Sequence, residues 1–95
     1  MIVVRGVFQA KYGKGDELAQ LFKEGQQMWP SGSNPRILTD LSGPFFTVVS
    51  ESEYDSFSAW EANAHEIFNH PRFGEWFERM TPLVESGRRE FYSIA

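Results

Sequence analysis

Glu61 and His65 stand four residues apart in a stretch with helical spacing. An i, i+4 pair meets on one helix face. A carboxylate placed so can orient an imidazole and favour its charged form, which is the equipment of general acid–base chemistry. The helical period puts Tyr54 on the same flank, so Tyr54 and Tyr92 are candidate auxiliary hydroxyls. Arg5 and Arg36 fall in strand-like runs and are suited to an anionic substrate or to ion pairing. The plain reading of Glu61 and His65 is a solvent-edge pair that trims the core.

Other chemistries find less support. A metal site needs converging His, Asp or Glu. The chain has two histidines, His65 and His70, separated by a helix end, with Glu66 as a third donor. That spacing is not diagnostic, so no metal is expected, and His70 before Pro71 reads as a helix-start residue. Gly13-Lys14-Gly15 lacks the phosphate-loop spacing. There is no cysteine, hence no disulfide, thiol nucleophile or thiolate metal site. No serine sits in a nucleophile-elbow pattern.

The elements that must position these residues follow from periodicity. The stretch Ser52 to Val84 organises the chain. Phe57, Trp60, Ala64, Ile67 and Phe68 share one helical face. Ser52 suits the N-cap, with Asp55 completing a capping-box pattern. After a break at Asn69-His70-Pro71, a second stripe follows in Phe73, Trp76, Phe77, Met80 and Val84. Pro71 suits its first turn, and Pro82 weakens it before Val84.

Earlier, Ile2 to Ala10 alternates as a strand, with apolar residues on both sides. Lys11 to Gly15 turns into a helix capped by Asp16 and running to about Trp29. Its inner face is Leu18, Leu21, Phe22, Gly25, Met28 and Trp29, where Gly25 implies close packing. Pro30 to Pro35 is a loop. Arg36 to Leu41 and Phe45 to Glu51 form a hairpin around Ser42-Gly43-Pro44. Ser86-Gly87 turns the chain into a last strand, Arg88 to Ala95.

The order β-α-β-β-α-β is ferredoxin-like, an α+β fold with helices on one face of a four-stranded antiparallel sheet. The other face keeps apolar positions, which predicts a homodimer packed sheet to sheet. The chain has 95 residues, enough for a single domain (1–95), with nine Phe, three Trp and three Tyr to build its core. A net charge of −4 without a basic patch argues against nucleic acid. No run is long enough for a membrane helix. The start shows no signal-peptide pattern, so a cytoplasmic protein is expected.

Four segments carry a resemblance: Met1-Ile2-Val3-Val4, Phe46-Thr47-Val48-Val49, Ser56-Phe57-Ser58-Ala59-Trp60, and His70-Pro71-Arg72-Phe73 leading into Trp76-Phe77. In these the chain resembles the dimeric α/β-barrel superfamily, with its antibiotic-biosynthesis-monooxygenase-like and NIPSNAP-like domains. The resemblance implies a pocket between sheet and helices in each subunit. Haem-degrading members are similar to one another in an Asn on the first strand, a Trp on the second helix and a later His. Trp60 or Trp76, and His65 or His70, stand near those positions. Gly6 and Val7 occupy the strand where the Asn is wanted, which departs from the haem pattern, and no cofactor is expected.

Three readings remain open. One is a dimeric domain that binds or transforms a small aromatic or apolar metabolite, with Trp60, Phe57, Phe68, Tyr54, Arg5 and Arg36 receiving it and His65 with Glu61 acting on it. The second is a cofactor-free monooxygenase whose electron-rich substrate itself activates oxygen. The third is a structural or interaction dimer. The first two predict a cavity of about 300 Å³ or more, lined by Trp60, Phe57 or Phe68 and opened by His65. The third predicts that these rings fill the space.

Overall fold

The computed structural model describes residues 1–95. The chain runs β1 (Ile2–Ala10), α1 (Gly15–Met28), β2 (Ser33–Thr39), β3 (Thr47–Tyr54), α2 (Phe57–Phe68), α3 (Phe73–Met80), a 3₁₀ turn (Thr81–Leu83) and β4 (Val84–Ser93). All strand pairs are antiparallel, in the order β2-β3-β1-β4. This is the expected α+β, ferredoxin-like arrangement, with its second helical unit split in two.

The core forms where α1 lies on the sheet. Leu18, Ala19 and Phe22 of α1 pack with Ala10 and Val48, and Phe8, Ile37, Trp76 and Val84 close around them. Gly25 does what its place on the inner face implies. A Cβ there would stand 3.2 Å from the Trp76 indole nitrogen, which donates to the Leu21 carbonyl at 2.9 Å. The bare backbone lets α3 dock on α1.

Strand boundaries differ from expectation, and the ladder explains how. β3 pairs with β1 as far as Ile2↔Tyr54, so Ser52 and Tyr54 are strand residues. Ser56 caps α2 in place of Ser52, its hydroxyl accepting the Ala59 N–H at 3.1 Å. Asp55 therefore has no part in a capping box. β3 starts at Thr47 because Phe46 takes a left-handed φ of 59° and lays its ring against Gly15. β2 begins at Ser33 and tolerates Pro35, since it is an edge strand with an irregular register there. Asp16 lies inside the first turn of α1, which starts after Lys14. Pro71 precedes α3: the His70 ring accepts the Arg72 N–H at 3.1 Å and holds the turn before Phe73.

The largest correction concerns Ser86-Gly87. These residues are not a turn; they lie within β4 and pair with Gln9 and Phe8. Gly87 sits directly beside Phe8, and a Cβ there would meet the Phe8 ring at 2.8 Å. The ring lies against the glycine on the helix side and meets Phe22 edge-on, with centroids 4.9 Å apart. Glycine is thus a packing residue inside this strand. Gly87→Ala should destabilise the fold by about 1–2 kcal/mol, the cost of overpacking. Urea unfolding measures it, and an unchanged midpoint would show that the ring yields freely.

Candidate functional site

Strand register divides the sheet into two chemically distinct faces. Val4, Gly6, Phe8 and Ala10 face the helices, with Val48, Arg89 and Phe91 beside them. Val3, Arg5, Val7 and Gln9 face the other way, with Val49, Glu51, Leu38 and Tyr92.

On the open face, cross-strand pairing lines up Arg36, Glu51, Arg5 and Glu90 in one row across all four strands. The charges alternate along it, the favourable arrangement for directly opposed residues. Glu51 is only 7% exposed. It accepts from Arg36 and from the Arg5 Nε at 2.9 Å. The Arg36 hydrogen bond, helped by Arg5, holds its carboxyl below the usual range although burial opposes this. The same contact raises Arg36. Glu90 accepts from Arg88 at 2.7 Å and from the Tyr92 hydroxyl at 3.0 Å. Both bonds lower Glu90, the Arg88 bond most, and the bond to Glu90 raises Tyr92. The Arg5 guanidinium lies 5.3 Å from the Tyr92 ring centroid. Arg5 and Arg36 therefore come together on a shared carboxylate, on the side away from the helices.

On the helix side, Trp60 meets Phe91 edge-on at 4.9 Å, and Phe57 lies 5.4 Å from Trp60 and 5.0 Å from Phe91. The Arg89 guanidinium sits over Trp60 at 5.0 Å. Phe57 remains 52% exposed and Phe91 39%. Phe68 turns instead to Phe73 of α3, at 5.2 Å. The Tyr54 hydroxyl donates to Asn63 at 2.6 Å, and Asn63 donates to the Pro30 carbonyl at 2.8 Å. At about 100° per residue, Asn63 lies on the flank of α2 opposite Glu61 and His65. The structure thus separates Tyr54 from that pair. Glu61 and His65 are exposed and no hydrogen bond or ion pair joins them.

Two of the molecule's clefts lie elsewhere. One of about 600 Å³ runs between α1 and the 3₁₀ turn, beside Asp16, Glu24, Arg79 and Leu83. Another of about 250 Å³ is bounded by Asp40, Phe45 and Phe46. Neither is lined by Trp60, Phe57, Phe68 or His65. No three His, Asp or Glu side chains gather as a metal site would need. No helix is long and apolar enough to cross a membrane.

No protein-family model matches the chain, and no curated protein matches it. Solved structures do. An uncharacterized NIPSNAP domain protein from Burkholderia xenovorans superposes with a TM-score of 0.85 at 22% identity, over 100% of this chain and 95% of that one. A NIPSNAP family protein from Agrobacterium tumefaciens gives 0.88 at 21%, over 99% and 85%. An antibiotic biosynthesis monooxygenase gives 0.73 at 14%, over 100% and 99%. The chain has their fold. At these identities the likeness is one of architecture, and it accords with the resemblance read from the sequence.

Sequence reasoning missed Phe91 and Arg89 as neighbours of Trp60. The alternation of the last strand held a signal, since Arg89 and Phe91 share a side, but only pairing with Gly6 and Val4 assigns that side to the helices.

Glu51 carries a pH dependence of defined sign. Its folded carboxyl titrates below its unfolded value. Its stabilisation is therefore complete above the unfolded value, near 4.3, and is lost as pH falls through the lower folded value. Glu51→Gln should cost about 1–3 kcal/mol at neutral pH, because it removes charge-assisted bonds. That difference should shrink on acidification, as thermal melts from pH 7 to 3 would register. A penalty constant across that range would refute the assignment.

Proposed function

We propose that this chain is a homodimeric domain that binds or transforms a small aromatic or apolar metabolite between sheet and helices, against Trp60, Phe57 and Phe91. The observation that carries the reading is this cluster. Its rings touch one another and line neither of the clefts described, so the ligand's place is the surface that Phe57 and Phe91 leave uncovered and not the enclosed cavity expected from the sequence. Exposed aromatic surface of this kind marks a place for a partner or ligand. Phe68 stands on the same helical face about three turns from Phe57, but its ring packs on Phe73 and not on this cluster.

The dimer half of the proposal rests on the open sheet face. Val3, Val7, Val49 and Leu38 surround the charge row there, and a second copy packed on that face would cover them. An isologous contact of this kind buries the same patch on both chains. Arg5 and Arg36, engaged with Glu51, then belong to the interface side and not to the ligand.

The likeness to an antibiotic biosynthesis monooxygenase structure favours a second reading, in which the bound aromatic is electron-rich and reacts with dioxygen without a cofactor. Glu61, next to Trp60 in the sequence, and His65, about one turn further along α2, are the acid–base candidates in that case.

Sedimentation equilibrium of the full chain should return a dimer; a monomer at micromolar concentration would remove the sheet-to-sheet half of the proposal. A thermal-shift screen with small aromatic compounds should raise the melting temperature in a concentration-dependent way. Trp60→Ala should abolish the shift, while His65→Ala should leave binding intact and affect only turnover. Shifts unaffected by Trp60→Ala would place the ligand elsewhere.

A further inference from the structure

The strands contain four arginines, Arg5, Arg36, Arg88 and Arg89. Arg5 and Arg36 share Glu51, and Arg88 holds Glu90, all on the open face. Arg89 differs in both respects. Its pairing with Gly6 and its contact with Trp60 turn it toward the helices. It forms no ion pair and no side-chain hydrogen bond. Two consecutive arginines thus meet opposite fates because a strand alternates its sides.

The surroundings of Arg89 make this position informative. It is the only basic residue of the strands on the helix side, where its neighbours in the sheet are Val4, Gly6, Phe8, Gly87 and Phe91. A guanidinium presents five donors in a rigid fork that matches a carboxylate. Here that fork sits beside exposed aromatic rings, in a chain whose net charge is −4. Acidic side chains are therefore plentiful, yet none is placed on it.

We propose that the ligand of this site is an aromatic acid. Its ring lies against Trp60 and Phe91, and its carboxylate takes the fork of Arg89. This rests on the reading of the Trp60 cluster as a ligand site and adds the charge of the ligand. Arg89 selects by charge, while the rings supply shape and apolar area. Arg89 is solvent-exposed, so the carboxylate replaces water on its fork, and the acid should bind roughly tenfold more tightly than an uncharged isostere, the low end expected for charge-assisted bonds.

The test is isothermal titration of the full chain with 2-naphthoate and with its uncharged counterpart 2-naphthamide. The acid should bind more tightly, and added salt should narrow the gap. Arg89→Met should erase the preference while leaving naphthamide binding in place, and Arg72→Met, which removes the exposed arginine at the start of α3, should change neither. If Arg89→Met does not fold, Arg89→Gln serves the same purpose. Equal binding of the two compounds, or a preference that survives loss of Arg89, would overturn the role of Arg89; sensitivity of both to Trp60→Ala would then leave the aromatic site standing. Failure of both compounds to bind would bring down the site and this inference together.

Discussion

The packing of the Phe8 ring over Gly87 is the contact on which the rest of this molecule leans. It joins the central strand β1 to the edge strand β4, where a side chain would otherwise intervene. The ring also touches Phe22, so α1 is seated by the same contact. From Phe22 the aromatic contacts continue through Trp76 to Phe73 and Phe68. A chain of this size has little aliphatic volume to spare, and large rings in mutual contact supply buried area with few residues.

The two faces of the sheet solve different problems. The helix side buries Val4, Ala10 and Val48 in the ordinary way. The open side carries the alternating row Arg36, Glu51, Arg5 and Glu90 amid valines. Such a row specifies register, because a slip of one residue between β1 and β4 would place Arg5 opposite Arg89 or Phe91, and a slip against β3 would leave Glu51 without its arginines. It also leaves Glu51 dependent on both arginines, since a carboxylate so covered is costly without partners.

The candidate site lies at the join of α2 and β4, away from the deepest packing. None of the α2 side chains is fully buried, so its aromatic stripe is held mainly by Phe91 and by the Tyr54–Asn63–Pro30 hydrogen bonds. Those bonds set the orientation of the helix while leaving Trp60 and Phe57 partly open. An element secured at its flank and uncovered on its apolar side is suited to receive a ligand without unfolding anything else.

Much of this was legible in the sequence. Period-2 and period-3.6 patterns determined the element order, the inner face of α1 and the sense of Gly25, because these follow from which side chains must leave water together. Apolar residues on both sides of the strands meant that both faces of the sheet would carry them, as Val3, Val7, Val49 and Leu38 do on the open side. Tertiary structure decided which strand residues face which way. Ser86-Gly87 looks like a turn until Phe8 is found above it. Arg88 and Arg89 are equivalent in composition, and only the ladder with β1 sends one to Glu90 and the other to Trp60. Tyr54 falls near Glu61 and His65 on a helical wheel, yet pairing with Ile2 makes it a strand residue. Register is set by hydrogen bonds between residues far apart in the chain, and a shift of one residue exchanges the two faces. Local sequence carries no record of that choice.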